Sequence, residues 1–143
     1  MDKIVDIHTH ILPGIDDGSR NIEESIDIIN YLYSVGITDI VLTSHYVADT
    51  AYNYNQLVRV KLLNTLKEKL NNDNIHLYLG NEVYLTDKVI DLLETHEIST
   101  INDTKYMLIE LPLAGYLNNF QSILCDLNSY GIVPIIAHPE RYS

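Results

Sequence analysis

Histidine and glutamate side chains recur in this sequence at or just after the ends of short apolar runs. Five such runs lead into His8 and His10, His45, Glu82, Glu110 and His138. Imidazole together with carboxylate suits manganese, iron or zinc, whereas calcium and magnesium prefer oxygen ligands alone. If these side chains meet in one place, they predict a divalent metal site.

The His8-Thr9-His10 triplet is the most local part of this pattern. Side chains alternate along a β-strand, so His8 and His10 would point the same way. Several carboxylates in the same cleft would repel one another unless cations lay between them. Divalent cations also lower the pKa of a bound water from about 15.7 to about 7, which equips a site for hydrolysis.

The apolar runs predict five β-strands at residues 4–7, 37–43, 75–80, 106–111 and 131–137. They are short and rich in Val and Ile, which is typical of strands buried on both faces of a parallel sheet. Segments with helical spacing separate them, at residues 21–36, 54–71, 86–96 and 118–131. This alternation predicts one α/β domain with a parallel sheet and right-handed crossovers. The pattern leaves open whether the sheet is doubly wound or a barrel.

Local signals predict how the helices begin and which faces they bury. Ser19 or Asn21 would cap the first helix, and Thr86 would cap the third. In the second helix, apolar residues spaced by three or four positions predict one buried face, formed by Leu57, Val60, Leu63, and Leu66 or Leu70.

The composition limits the classes of function. The 143 residues are 46% apolar and can form one domain with a core, and the net charge of −11 argues against nucleic-acid binding. The single cysteine, Cys125, excludes an intramolecular disulfide framework and a cysteine-ligated zinc finger. The N-terminus has no pattern of a secretion signal, and the longest apolar run is too short to span a bilayer. We therefore expect a soluble, cytoplasmic protein that does not insert into membranes.

The carboxyl ends of parallel strands meet at one edge, where α/β proteins build their sites. Arg141, three residues after His138, would lie at the mouth of such a site. Its guanidinium could hold two phosphate oxygens, and an ordinary surface arginine is the alternative. His76 and His96 lie at the opposite edge and are expected to be structural or surface residues.

Several polar residues near these motifs have two interpretations. Asp6 either orients a ligand histidine or is a polar residue at the edge of the core. Asp16 and Asp17 precede Gly18, and position alone favours a simple turn. Tyr46 and Tyr84 follow strand ends and could stack on an aromatic substrate or be ordinary rim residues.

The motifs together resemble the PHP superfamily (polymerase and histidinol phosphatase), and more narrowly its bacterial protein-tyrosine phosphatase branch of capsular and exopolysaccharide loci. The matching stretches run in order from residue 4 to residue 142: DIHTHILPGIDDGS, TSH, GNEVYL, LIEL and IIAHPERY. The resemblance implies a distorted (β/α)₇ barrel, of which this chain holds five βα units. Residues 1–143 would then form a partial PHP phosphatase domain, truncated at its C-terminal end.

The same resemblance implies a site for two or three divalent ions, usually Mn²⁺, with iron or zinc as alternatives. The ligands would be His8 and His10 for the first ion, Glu82 as a bridge to the second, Glu110 and His138 for the second, and Asp17 and His45 for the third. Arg141 would bind the substrate phosphate and, with Asp17 and His45, would form the catalytic set. A further Asp-x-His motif of the family has no counterpart after His138.

The expected function is hydrolysis of phosphotyrosine on a protein, with a bacterial tyrosine kinase as a partner and a role in capsule or exopolysaccharide synthesis. Cysteine-based catalysis is excluded because Cys125 lies in a helical pattern, where we expect it in the core, and no phosphate-binding arginine follows it. One alternative is a small-molecule phosphatase of the histidinol phosphate type, which would share every ligand. Another is a catalytically degenerate PHP domain that regulates a tyrosine kinase. A metal-dependent amidohydrolase is disfavoured because the expected strand lysine is absent. The sequence predicts no oligomeric state.

Overall fold

The computed structural model describes residues 4–112 and 119–142. Its sheet contains five parallel strands in the order β1-β2-β3-β4-β5. They are β1 (Ile4–Thr9), β2 (Ile37–Tyr46), β3 (His76–Tyr84), β4 (Tyr106–Glu110) and β5 (Val133–Ile136). A sequential order without reversal is that of a (β/α) barrel, whereas a doubly wound sheet reverses its order. The predicted α/β class is confirmed, and the barrel is the correct alternative.

Within the described residues four helices connect the strands: α1 (Ile22–Ser34), α2 (Gln56–Leu70), α3 (Val89–Glu94) and α4 (Phe120–Ser129). Two short 3₁₀ turns, Ile101–Asp103 and Pro139–Arg141, precede β4 and follow β5. No helix among the described residues is long and apolar enough to cross a membrane.

Asparagine side chains begin the first two helices. Asn21 accepts a hydrogen bond from the backbone N–H of Glu24 at 2.9 Å, so it is the N-cap of α1. The prediction for α3 was wrong, because Lys88 holds its N-cap position and no side chain caps the helix. Thr86 instead accepts a bond from the backbone N–H of Lys88, two residues along the chain, at 3.3 Å.

The helices cover the sheet with two main apolar clusters. The first packs α1 and α2 against β2 and β3, and the second packs α3 and α4 against β3 and β4. Their fully buried members include Ile29, Leu42, Leu66, Met107 and Leu127. Each such side chain contributes about 1.5–3 kcal/mol on burial, so these contacts hold the strand ends in place.

Helix α2 buries a different face from the one its apolar spacing predicts. Leu57 is 81% exposed and Val60 is also exposed, whereas Leu63 and Leu66 are buried as expected. Arg59 occupies the remaining inward position and is completely buried. A carbonyl oxygen of β3 and a serine hydroxyl outside the sheet face this turn of the helix, so a long hydrogen-bond donor replaces an aliphatic side chain there.

Arg59 joins α2 to the strand that carries Glu82. Its Nη1 donates to the carbonyl oxygen of Gly80 at 3.0 Å and to Oγ of Ser99 at 3.1 Å. Burial lowers the pKa of Arg59 to about 10. Because Gly80 lies two residues before Glu82, this contact helps to fix β3 where the strand enters the site.

Cys125 lies on the exposed side of α4, so its predicted place in the core was wrong. The helix buries Ile123 and Leu127, which lie four residues apart on one face. Cys125 falls midway between them in sequence and therefore on the opposite face.

Candidate metal centre

The parallel register brings the predicted ligands to one edge of the sheet. His45 near the end of β2 pairs with Glu82 on β3, and Tyr84 on β3 pairs with Glu110 on β4. Strand β1 is irregular between Asp6 and Thr9. In that segment a carboxylate oxygen of Asp6 accepts a hydrogen bond from the backbone N–H of His8 at 3.1 Å. This bond reaches the backbone of His8 and not its imidazole, so it is a local contact and does not support the interpretation in which Asp6 orients a ligand ring.

Glu82 lies at the centre of the cluster, and its side chain is 1% exposed. Its Oε2 lies 3.0 Å from Nε2 of His8, 3.0 Å from Nε2 of His10 and 3.4 Å from Nδ1 of His45. Its Oε1 lies 2.8 Å from Nε2 of His138. One buried carboxylate therefore contacts four imidazoles that come from three different strand ends.

The two remaining acidic ligand candidates each lie beside two of these imidazoles. Glu110 lies 3.6 Å from Nδ1 of His45 and 3.6 Å from Nε2 of His138. Asp17 lies 3.6 Å from Nε2 of His45 and 3.8 Å from Nδ1 of His10. The structure thus brings together all seven side chains expected as ligands.

The donors form three groups that fit single ions. Within each group one ligand atom per residue lies within 4.8 Å of the others, and the groups are His8–His10–Glu82, His10–Asp17–His45 and His45–Glu82–Glu110. Two ligands on opposite sides of an ion at about 2.1 Å would be about 4.2 Å apart, so these spacings are close to what an ion requires. Nδ1 of His45 is buried without a hydrogen-bond partner, as expected for an atom whose partner is a metal. The residues present therefore fit divalent cations.

The side chains of the cluster shift the pKa values of Glu82 and His10 in opposite directions. Burial alone would raise the pKa of Glu82, yet hydrogen bonds from His10 and His8 hold it far below its usual range. Burial alone would lower the pKa of His10, but hydrogen bonds to Asp16 and Glu82 raise it to about 10. A metal that binds His10 must therefore displace a proton from this imidazole.

The cluster opens into a cavity of about 330 Å³. Its lining contains every predicted site residue except Glu110, together with Gly18: His8, His10, Asp17, Gly18, His45, Glu82, His138 and Arg141. Arg141 is exposed and lies in the 3₁₀ turn after β5. His138, which caps that turn, has a left-handed backbone with φ of 30°, a strained conformation of the kind found at functional sites. The turn places a guanidinium at the mouth of a cavity lined by imidazoles and carboxylates.

Sequence reasoning missed two tyrosines next to the ligands. The ring of Tyr52 stacks on His45 with ring centroids 5.9 Å apart and an interplanar angle of 14°. The hydroxyl oxygen of Tyr142 accepts a hydrogen bond from the backbone N–H of Leu111 at 2.9 Å and lies 3.3 Å from Nδ1 of His138. Tyr142 does follow the HPER stretch, whereas Tyr52 lies in a loop whose course no spacing rule predicts.

The side chain of Tyr46, unlike those of Tyr52 and Tyr142, does not lie beside the candidate ligands. It is 2% exposed, and its hydroxyl donates to Glu97 at 2.5 Å, which points it into the core. The interpretation of Tyr46 as a substrate-stacking residue was therefore wrong. His76 and His96 are exposed, in agreement with the expectation that they are surface residues.

Gly18 is required by the close approach of its loop to His10. A Cβ at Gly18 would collide with the backbone oxygen and Cβ of His10. We expect Gly18→Ala to lower the free energy of unfolding by about 3 kcal/mol and to weaken metal binding, because His10 or Asp17 must move. Urea denaturation and a Mn²⁺ titration would measure the two effects.

Gly36→Ala is the matched control for this substitution. Gly36 has φ of +94°, but no atom lies within 4 Å of the added methyl group. We expect a cost of about 1–2 kcal/mol from backbone strain alone and unchanged metal binding. Equal effects of the two substitutions on metal affinity would contradict the role assigned to Gly18.

A family model for capsular polysaccharide synthesis proteins of the CpsB/CapC type matches residues 4–143. The chain belongs to the CpsB/CapC family. This assignment agrees with the resemblance to the bacterial phosphatase branch that the motifs carry.

Relatives of this CpsB/CapC chain align with nearly all of it. It is 38% identical to CapC of Staphylococcus aureus over 140 residues, which is 96% of this chain and 54% of the relative. It is 34% identical over 140 residues to the tyrosine-protein phosphatase YwqE of Bacillus subtilis, covering 96% of this chain and 55% of that protein. The chain therefore spans about half the length of the curated relatives that it matches.

A solved structure shares the fold. It is one of the crystal structures of YwqE from Bacillus subtilis and CpsB from Streptococcus pneumoniae. These two proteins are described as unique metal-dependent tyrosine phosphatases. The TM-score is 0.88 at 33% identity, over 97% of this chain and 57% of that chain. The five parallel strands and their helices thus form a half-barrel like the matching part of that structure.

Proposed function

We propose that this CpsB/CapC chain carries the metal centre of a Mn²⁺-dependent protein-tyrosine phosphatase. The proposed reaction is hydrolysis of phosphotyrosine monoesters on a protein in capsule or exopolysaccharide synthesis. The observation that carries the proposal is one cavity lined by six ligand-type side chains and Arg141, with Glu110 3.6 Å from two of its imidazoles. The relatives named as tyrosine-protein phosphatases support the choice of substrate.

We keep the ligand set that the resemblance implies, although the structure groups His45, and not His138, with Glu82 and Glu110. Two or three ions would be held by seven side chains: His8, His10, Asp17, His45, Glu82, Glu110 and His138. When bound, these ions supply positive charge for the phosphate oxygens and an activated water for attack on phosphorus. The donors mix imidazole nitrogen with carboxylate oxygen and include no thiolate, which suits manganese, iron or zinc. Among these we propose manganese, because it is the ion that the resemblance to the PHP phosphatases implies.

The chain's own residues bind and orient the phosphate. Arg141 lies at the cavity mouth, where its planar guanidinium can donate two parallel hydrogen bonds to two phosphate oxygens. Asp17 and His45 line the same cavity and would set the position of the reacting end of the substrate. The ring of Tyr52, stacked on His45, offers an aromatic surface beside them for the phenyl ring of the substrate.

The exposure of the cavity mouth favours a phosphate carried by a protein. Arg141 is exposed, and the side chain of Asp17 is 64% exposed. A phosphate on a protein surface can reach such a mouth, whereas a small metabolite is usually enclosed by its pocket. A bacterial tyrosine kinase is the partner that we propose, because it would supply the phosphotyrosine.

A substrate panel tests this function. The chain is loaded with Mn²⁺ and assayed with p-nitrophenyl phosphate, a phosphotyrosine peptide and histidinol phosphate. We expect turnover of the first two, loss of turnover with EDTA, and little turnover of histidinol phosphate. Preference for histidinol phosphate would identify the small-molecule alternative, and a folded chain that binds metal without turnover would identify a regulatory domain.

Two histidine variants provide a matched pair for the same assay. His45→Ala removes a ligand that contacts Glu82, Glu110 and Asp17, so we expect most of the turnover to be lost. His76→Ala removes an exposed imidazole at the start of β3 and should leave turnover unchanged. Equal turnover of the two variants would place the reaction elsewhere.

Cys125→Ser tests whether a thiol takes part. Cys125 is exposed on α4 and is not among the residues that line the cavity. We expect turnover of p-nitrophenyl phosphate to be unchanged and the free energy of unfolding to change by less than about 0.5 kcal/mol. A loss of turnover greater than tenfold would contradict a metal-based mechanism.

A further inference from the structure

Asp16 is a completely buried carboxylate next to the candidate ligand Asp17. Its side chain is 0% exposed, whereas that of Asp17 is 64% exposed. Asp17 lines the cavity and Asp16 does not. Two adjacent residues of the same type therefore have opposite environments, and a buried carboxylate needs partners for its charge.

Three hydrogen bonds supply those partners. Oδ2 of Asp16 lies 2.9 Å from Nδ1 of His10 and accepts a bond from the backbone N–H of His45 at 3.0 Å. Oδ1 accepts a bond from the backbone N–H of Gly18 at 3.1 Å. The carboxylate thus joins the end of β1, the end of β2 and the loop that carries Asp17.

The contact with His10 decides which nitrogen faces the metal centre. Nε2 of His10 lies 3.0 Å from Glu82 and 3.2 Å from Nε2 of His8. Nδ1 faces Asp16 and donates a proton to it. A carboxylate that accepts from one ring nitrogen fixes the tautomer and the ring plane, and leaves the lone pair of the other nitrogen free for a metal.

We propose that Asp16 is a positioning residue that holds His10 with Nε2 toward the metal centre and fixes the end of β2 that carries His45. The inference rests on the proposed metal centre. His10 and His45 belong together in one candidate ion group and separately to the other two, so one carboxylate would set the geometry of all three. Asp16 itself binds no ion, because its oxygens face the loop and the two strand ends.

The variant Asp16→Asn tests this role. Asparagine has the size of aspartate, but only one of its two terminal side-chain atoms is an oxygen that accepts hydrogen bonds. It therefore cannot accept all three bonds, and it carries no negative charge. We expect the affinity for Mn²⁺, measured by calorimetric titration, to fall 10- to 100-fold while the number of bound ions stays the same. Asp17→Asn, which removes a candidate ligand, should instead lower the number of bound ions.

Asp27→Asn is the matched control, since Asp27 is exposed on α1 and belongs neither to the three candidate ion groups nor to the cavity lining. It should bind Mn²⁺ like the unchanged chain. Circular dichroism of the metal-free variants shows whether Asp16→Asn still folds. Wild-type affinity in a folded Asp16→Asn variant would overturn the role of Asp16 alone, whereas failure of the unchanged chain to bind Mn²⁺ would overturn the proposed metal centre as well.

A second measurement needs no substitution at Asp16. Zn²⁺ is diamagnetic, so ¹⁵N NMR of the imidazoles can be followed while the unchanged chain is titrated with it. We expect the Nε2 signal of His10 to shift on binding while Nδ1 keeps its proton. A shift at Nδ1 with loss of that proton would overturn the inference even if Asp16→Asn failed to fold.

Discussion

Replacing Glu82 by glutamine is expected to remove most of the bound metal and to lower turnover by at least about 1000-fold, equivalent to about 4 kcal/mol. Among the described residues, Glu82 is the one carboxylate that contacts all four clustered imidazoles. Glutamine keeps the shape but removes the negative charge, and its NH₂ group would face imidazole nitrogens in place of a carboxylate oxygen. Elemental analysis of dialysed protein and kcat/KM for p-nitrophenyl phosphate measure the two effects.

Glu68→Gln controls for the loss of one negative charge. Glu68 is exposed on α2 and does not line the cavity. Its replacement by glutamine removes the same formal charge as Glu82→Gln. It should keep the metal content and turnover of the unchanged chain. If Glu82→Gln also kept both, the bridging role of Glu82 would be wrong and the four imidazoles would have to bind metal without it.

The convergence of the ligands could be predicted from the sequence because parallel strands order their ends. Once β2 and β3 are recognised as neighbouring parallel strands, residues at their carboxyl ends must lie side by side. The pairing of His45 with Glu82 is the direct result. The strands themselves could be predicted because short Val- and Ile-rich runs are characteristic of buried parallel sheets.

The different roles of Asp16 and Asp17 could not be predicted in this way. The turn interpretation of Asp16 is correct as far as it goes, since Asp16 accepts a bond from the backbone of Gly18. Its contacts with His10 and the backbone of His45 depend on how the loop folds back over two strand ends. The resemblance, rather than any spacing rule, pointed to Asp17 as a ligand.

The buried faces of the helices also could be predicted only in part from the sequence. Apolar spacing shows that a helix has a buried side, but the side chain that fills each inward position depends on the surface it meets. Arg59 is buried because the backbone carbonyl of Gly80 on β3 and the hydroxyl of Ser99, in the segment before the first 3₁₀ turn, accept its hydrogen bonds. Cys125 is exposed because Ile123 and Leu127 already fill the inward face of α4.

Replacing Arg141 by alanine is expected to lower kcat/KM for p-nitrophenyl phosphate by roughly 1000-fold while leaving the metal content unchanged. The guanidinium lies at the cavity mouth and would act on the phosphate, so the ions would not depend on it. Arg141→Lys should recover only part of the loss, because an ammonium group keeps the charge but lacks two parallel N–H donors. Inhibition by inorganic phosphate should weaken in the same order.

Arg20→Ala is the control for these variants, since Arg20 is an exposed arginine paired with Glu24 on the surface. It should leave kcat/KM and phosphate inhibition unchanged. Measuring both metal content and turnover distinguishes the two variants. Glu82→Gln should lose both metal and turnover, whereas Arg141→Ala should keep its metal and lose only turnover. If Arg141→Ala also lost its metal, the turn after β5 would be supporting the ligand His138, and phosphate binding would have to be assigned to another residue.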